Sequence, residues 1–245
     1  MRNKVIHIHL EKVTSTNTWV KQNYKTLNLF AITRVSASIQ TQGRGRLNHT
    51  WISPRDQNIY ITYFFTLPKK TLSLNNIAQL MSLSIAEVLE YYDLQPLIRW
   101  PNDLLINGKK IAGILVETID LNETYGIILG VGINVNMPKD LLDTIGQPAT
   151  SFLNEKGEPF SLNDILVILE KIFLTDLSLF ENEGFSPFFS NYASHLIHKE
   201  KPITIKQGKA LLTGTFHSLN PDGSLNLLLP TGEVEVVYSG EIVDS

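Results

Sequence analysis

The residues best equipped for chemistry lie in three short runs. The first is Gln40-Thr41-Gln42-Gly43-Arg44-Gly45-Arg46, followed by Trp51-Ile52-Ser53-Pro54. Glycines let backbone N–H groups approach an anion closely, and the planar guanidinium fork suits phosphate or carboxylate. The Gly-Lys-Ser/Thr ending of a P-loop is missing; taken alone, the run reads equally well as an exposed basic turn. The second run is Arg99-Trp100-Pro101-Asn102-Asp103, leading to Lys110-Ile111-Ala112-Gly113. A strand that ends in Pro-Asn-Asp presents polar groups at a sheet end, where sites gather, although a plain strand-end turn has the same composition. Alternation sends Lys109 and Lys110 to opposite faces, one of them toward the side of Gly113, and spacing leaves open which one. The third run is Gly130-Val131-Gly132-Ile133-Asn134-Val135-Asn136. It fails as a dinucleotide fingerprint, because the third glycine is absent and the glycines sit inside an apolar run. A strand approached closely by a ligand or backbone, ending in an asparagine able to read an amide or base edge, fits better.

These runs need elements to hold them. Val5, Ile6, Ile8 and Leu10 suggest an entry strand, and Thr14-Ser15-Thr16-Asn17 supplies N-cap chemistry for a short helix through Trp19, Val20 and Tyr24. Residues 30–38 and 59–66 alternate as strands. Between them, residues 39–58 form a polar loop, and loops of that length are usually functional or disordered. Asn75 or Asn76 is placed to cap a helix carrying Ile77, Leu80, Met81, Ile85, Val88 and Leu89. Residues 104–116 read as a hairpin about Asn107-Gly108, since both central positions call for positive φ. Residues 125–135, apolar almost throughout, read as a strand buried on both faces. Helices at 163–180 and near 187–197 follow. Short strands at 203–205, 210–217, 225–229 and 234–238, separated by turn residues, predict a small β-barrel.

Bulk composition narrows the function classes. At 245 residues with 43% hydrophobic and 18% charged residues, the chain can build a sizeable core. The absence of cysteine excludes disulfides, thiolate catalysis and Cys-type metal centres. A net charge of −3 argues against bulk nucleic-acid binding, while leaving room for one local basic pocket. No stretch approaches the roughly 20 apolar residues that span a bilayer, and residues 1–4 do not open a signal peptide, so the expected location is the cytoplasm. His7 with His9, and His195 with His198, are pairs without a third ligand and read as ordinary histidines; His49 reads as a solvated loop residue.

Together the three runs, with Ser15-Thr16-Asn17 before them and Ser239-Gly240-Glu241-Ile242 at the end, resemble the catalytic core of biotin–protein ligases. The similarity runs through essentially the whole chain in order. It implies an α/β (α+β) chain: a mixed-sheet, class II synthetase-like catalytic domain over residues 1–198, then a small SH3-like β-barrel over 199–245. It implies activation of biotin with ATP to biotinyl-5′-AMP and transfer to a lysine of the biotin carboxyl carrier protein of a carboxylase. Position by position, it implies that Ser15, Thr16, Asn17 and Gln40 hold biotin and that Gly113 forms a wall of its pocket. Arg44, Gly45 and Arg46 look like the loop over acid and phosphate. Lys110 is similar to the lysine meeting the biotin carboxylate and α-phosphate. Trp51, Asn102 and Asn134 look like ATP contacts. Lys110, Arg46 and Asp103 are the catalytic candidates, Asp103 either near Mg²⁺ brought with ATP or handling the incoming lysine.

Members of that family usually carry lysine where this chain has Arg99. Only about a dozen residues precede Ser15, so a DNA-binding helix-turn-helix and an operator-binding role are not expected. A lipoate or octanoate ligase of the same fold, and a biotin or adenylate sensor without turnover, are the competing readings. A free sheet edge could pair with a second subunit or with the carrier, so a homodimer is possible.

Overall fold

A computed structural model describes residues 5–69 and 74–243. The first half of the chain builds β1 (Val5–Leu10), α1 (Thr16–Asn23), β2 (Ile32–Ala37), β3 (Ile59–Pro68), α2 (Leu74–Tyr91), β4 (Leu97–Arg99) and β5 (Asp103–Ile106). It continues through β6 (Lys109–Leu121), β7 (Thr124–Ile133), α3 (Lys139–Leu142), α4 (Phe152–Lys156), α5 (Leu162–Glu183) and α6 (Phe189–His195). The end is all strand: β8 (Pro202–Gln207), β9 (Ala210–Leu219), β10 (Leu225–Leu228), β11 (Val234–Val237) and β12 (Glu241–Val243).

Seven strands form one mixed sheet in the order β1-β2-β3-β7-β6-β5-β4, parallel only between β1 and β2. Its two faces are set by period-2 alternation. In β3, Ile59, Ile61, Tyr63, Phe65 and Leu67 enter the large core under α2 and α5, where the Tyr63 and Phe173 rings lie 4.9 Å apart. The intervening Phe64 joins Val20, Val35 and Ile128 in a smaller cluster beneath α1. In β7, Ile127, Leu129, Val131 and Ile133 face the large core, so Gly130 and Gly132 fall on the opposite face, which carries the site. Asn107 and Gly108 both have positive φ (51° and 75°), as the hairpin reading requires.

The other five strands make an antiparallel sheet in the order β11-β10-β9-β8-β12, with β11 and β12 at its edges. The expected small barrel is thus an open ladder, extended by β12, which turn chemistry alone does not announce. Ile203, Ile205, Phe216, Leu225, Leu227 and Ile242 continue the large core, and Trp100 Nε1 donates to the Gly223 carbonyl at 3.0 Å.

Several local expectations are corrected. Asn75 and Asn76 do not cap α2, which is already helical at Leu74. Their amides instead reach Tyr238 and Pro221 carbonyls and bind α2 to the second sheet. Ser15 is the N-cap of α1 by position, yet its side chain makes no capping bond. Residues 186–195 form a 3-10 turn running into α6. Ser161, by contrast, caps α5 through its hydroxyl, which accepts from Asp164 N.

Candidate active site

The segment 39–58 is folded more tightly than a long polar loop suggests. Arg44 pairs with Thr50 in a one-residue antiparallel bridge, Gly45 N donates to His49 O at 2.7 Å, and Trp51 N donates to Gly43 O at 2.9 Å. A 3-10 turn at Arg46–Asn48 closes the tip. The result is a miniature hairpin lying over the glycine face of β6 and β7. Gly113 and Gly132 are register partners, and the Trp51 indole rests on this pair. A methyl group at Gly132 would fall 2.4 Å from Trp51 Cε2, and one at Gly113 would fall 3.1 Å from Cζ3. Two residues along β7 on the same face, a methyl group at Gly130 would collide with the Asn17 carboxamide. The close approach anticipated for the glycine strand is therefore made by the chain's own side chains. Trp51 Nε1 is buried with no hydrogen-bond partner among the described residues, a donor left for a ligand to complete.

A cavity of about 540 Å³ opens on this face, within the range of small-molecule sites. Ser15, Thr16, Asn17, Gln40, Arg44, Gly45, Arg46, Trp51, Asn102, Asp103, Lys110 and Gly113 all line it. One end is a neutral polar bed. Gln40 Oε1 accepts from Thr16 N at 2.9 Å, and Thr62 Oγ1 lies 2.8 Å from Thr16 Oγ1 and 2.6 Å from Asn17 Oδ1. The other end is ionic. Asp103 faces Arg99 across β4–β5 and Gly113 across β5–β6; its two oxygens meet Arg99 Nη2 at 2.9 Å and Lys110 Nζ at 2.7 Å. Arg46 donates to Asn102 Oδ1 at 3.1 Å, and Asn102 Nδ2 is fixed by the Ile114 carbonyl. Burial draws the Arg46 guanidinium below its ordinary pKa, while the nearby Asp103 and Glu241 carboxylates oppose that shift.

Of the two lysines at the hairpin, Lys110 is the one that reaches the cavity, its Nζ 5.5 Å from the Trp51 ring centroid. Asn134 stands apart from the other candidates. It is buried behind the cavity, its Nδ2 donating to the Thr150 carbonyl at 3.0 Å and its Oδ1 facing Asn58. Asp103, with both oxygens committed to cations, does not fit a metal ligand in this arrangement. Among the described residues no three carboxylates or histidines gather into a metal site. His7, His49 and His195 instead face Glu170, Glu241 and Glu90.

Two groups at the site carry no obvious signal in the sequence, and a third, on β12, is marked there only by the resemblance. Residues 144–147 wall the ionic end, tied to Lys110 by Lys110 N→Pro148 O and Thr150 N→Lys110 O, each 2.9 Å; only the turn residues Gly146 and Pro148 hint at them. Glu241 and Ile242 reach the cavity from β12. Glu117, on β6, accepts from Arg44 Nη2 and from Asn17 Nδ2. Burial tends to raise its pKa, but bonds from Arg44 and Asn17, with the charges of Arg44 and Lys21, hold it below the usual carboxylate range.

The fold and the sequence have close parallels. The solved biotin protein ligase from Aquifex aeolicus, in complex with biotin and ATP, superposes with a TM-score of 0.81 at 27% identity, over 97% of each chain. The bifunctional ligase/repressor BirA of Bacillus subtilis is 31% identical over 223 residues, 86% of this chain. This chain spans only 65% of that protein's length. The biotin–acetyl-CoA-carboxylase ligase of Paracoccus denitrificans is 26% identical over 214 residues, covering 85% of this chain and 88% of its own. The model of the Biotin/lipoate A/B protein ligase family matches residues 10–134, a span that holds every residue singled out in the three sequence runs except the last two. On that match, which covers just over half of its length, the chain belongs to the Biotin/lipoate A/B protein ligase family.

Proposed function

We propose that the chain activates biotin with ATP to biotinyl-5′-AMP and transfers the biotinyl group to a lysine of a biotin carboxyl carrier protein. The observation that carries this is one cavity with a neutral hydrogen-bonding bed at one end and Arg46, Arg99 and Lys110 gathered about Asn102 and Asp103 at the other. The bed of Ser15, Thr16, Asn17 and Gln40 suits a ring rich in both donors and acceptors, such as a ureido group. The ionic end suits the harder part of the reaction, in which a carboxylate must attack an α-phosphate. Two unit anions about 4 Å apart repel by roughly 4 kcal/mol at an effective dielectric near 20. Arg46 and Lys110 offset that repulsion and stabilise the charge developing at phosphorus, while Arg44, held by Glu117 beside the bed, closes the hairpin over the acid.

In this reading Lys110 bridges the acid and the phosphate, and Asp103 keeps its ammonium aimed into the cavity. Magnesium would be held by the nucleotide phosphates rather than by a carboxylate cluster of the described residues, and would add positive charge there. Trp51 and Asn102 border the nucleotide, and Asn134 serves it indirectly by holding the Thr150 backbone. The hairpin of residues 43–51 covers a mixed anhydride that water would destroy. The carrier lysine then attacks the acyl carbon beside Asp103, and AMP leaves. Residues 1–198 form the catalytic unit and 199–245 an accessory unit that contributes Glu241 and Ile242. We place the reaction in the cytoplasm; among the described residues no helix is long and apolar enough to cross a membrane.

Acid-dependent pyrophosphate exchange, run with biotin, lipoate and octanoate, tests the reading. Exchange should follow biotin. Exchange with lipoate or octanoate but not biotin would assign the other branch of the family. Tight biotin binding with no exchange would make the chain a sensor.

A further inference from the structure

A continuous hydrogen-bond path runs beneath the cavity from one end of the 43–51 hairpin to the other. It leaves Arg44, passes to Glu117, and reaches Asn17 through its Nδ2. From Asn17 Oδ1 it goes through Thr62 to the Thr16 hydroxyl, and from the Thr16 backbone N–H to Gln40 Oε1. Gln40 Nε2 donates to Ser53 Oγ at 3.0 Å, and Ser53 Oγ donates to the Trp51 carbonyl at 2.9 Å. Trp51 N closes the circuit onto Gly43 O. Every member but Glu117, Thr62 and Ser53 already belongs to the proposed machinery or its hairpin.

A carboxylate only accepts, and that one property fixes the direction of the rest. Glu117 Oε2 and the Leu115 carbonyl both call for donors, so Asn17 must turn its NH₂ toward β6. Its oxygen then faces Thr62, whose single proton is drawn to it at 2.6 Å. Thr62 is left to accept from Thr16, and Gln40 Oε1 is left to the Thr16 backbone N–H. The same carboxylate oxygen holds Arg44, with Lys21 on the other oxygen at 3.4 Å. We propose that Glu117 is a positioning residue that latches Arg44 at the head of the hairpin and sets the orientation of the Asn17 carboxamide. Closure of the hairpin and the donor–acceptor pattern of the polar bed are thereby coupled through one side chain. The second half of this inference rests on the bed being the acid-binding end of the cavity; the first half does not.

Two measurements on Glu117→Ala and Glu117→Gln test it. Amide hydrogen exchange of residues 43–51 in the unliganded chain should speed up about tenfold in the alanine variant, the worth of one charge-assisted bond. Exchange at the buried β7 amides should stay at the parent rate. Glutamine can still offer one oxygen to both Arg44 and Asn17, so Glu117→Gln should remain within about threefold of the parent. In pyrophosphate exchange, Glu117→Ala should raise the biotin KM about tenfold, leave kcat and the ATP KM near the parent values, and be rescued by glutamine. Unchanged hairpin exchange in the alanine variant would overturn the latch; an unchanged biotin KM, or no rescue by glutamine, would overturn the orienting role. A parent that exchanges pyrophosphate with no acid sinks the proposed activity, while the amide-exchange arm still decides the latch. Should Glu117→Ala not fold, Arg44→Ala breaks the same bond from the other side and should show the same hairpin exchange.

Discussion

Gly132→Ala puts one methyl group where the Trp51 indole lies, and the structure limits what can give way. The new carbon would sit 2.4 Å from Trp51 Cε2 and 2.6 Å from Nε1, whereas ordinary contacts begin at 3.4 Å. Something must therefore shift by at least about 1 Å to restore van der Waals separation. The β7 backbone cannot, because residue 132 is paired on both sides, with Tyr60 and with Gly113. The indole must leave its floor and enter the cavity. Overpacking of this kind costs about 1–3 kcal/mol, and replacing a strand glycine returns about 0.5–1 kcal/mol. The net loss of about 1–2 kcal/mol corresponds to a Tm lowered by roughly 2–8 °C in a chain of this size.

The same displacement should blunt nucleotide binding, with the ATP KM rising about tenfold if about 1.4 kcal/mol of contact is lost. Steady-state kinetics, thermal melting and tryptophan emission read the three consequences. A double-variant cycle isolates the cause: in a Trp51→Ala background the three nearest atoms, all of the indole, are gone, so the penalty of Gly132→Ala should shrink. An equal penalty with and without the indole would refute the packing of Trp51 on the glycine pair.

Other perturbations probe the rest of the site and its frame. Lys110→Ala should abolish adenylation while leaving the melting temperature within a few degrees; an undiminished rate would move the role to Arg99 or Lys109. Arg46→Gly removes the bond to Asn102 and should let acyl-adenylate escape into solution, assayed as free intermediate per turnover; retention equal to the parent would end the lid assignment. Asp176 lies between α2 and α5 with its pKa raised by burial, against a bond from Ser84. A raised carboxyl binds its proton more tightly in the folded chain, so stability falls as pH rises through the interval between the ordinary and the raised value. Asp176→Asn should therefore gain stability over the parent above that interval and lose the advantage below it, as denaturant melts across pH would show.

Much of this was legible because the chemistry and the pattern agree. The alternation of residues 59–66 and the apolar run of 125–135 become the two central strands of the large sheet, and Asn107-Gly108 turns where both residues can take positive φ. The glycines of 130 and 132 announced a close approach correctly, but a single strand cannot say who approaches. That information lies in α1 and in the 43–51 hairpin, more than 70 residues away in the chain, which deliver Asn17 and Trp51 to the same face. Glu117 stayed hidden for a similar reason. On its strand it is one acidic residue among mixed neighbours, and its importance comes from having Arg44 and Asn17 brought to it by other elements.

Lys110 shows why alternation could not settle which lysine faces the glycine floor. Lys110 and Gly113 are three residues apart, so a regular strand would place them on opposite faces, and the lysine would point away from the glycine floor. In the structure they share a face, with Lys110 Nζ 3.4 Å from the position of a Gly113 methyl group. The cause is a bulge. Leu104 pairs with Ala112 but its neighbour Leu105 pairs with Lys110, leaving Ile111 as an extra residue. Ile111 and Ala112 are both fully buried in succession, which regular alternation against a one-sided core would not produce. One inserted residue thus reverses the parity of the strand end and carries the ammonium from the α2 side of the sheet to the side that holds the cavity. Deleting Ile111 should restore the regular ladder and leave Lys110 two positions from Gly113, still on the cavity face, so pyrophosphate exchange should survive in a less stable chain that has lost one buried core side chain; loss of exchange in a folded deletion variant would refute the bulge account.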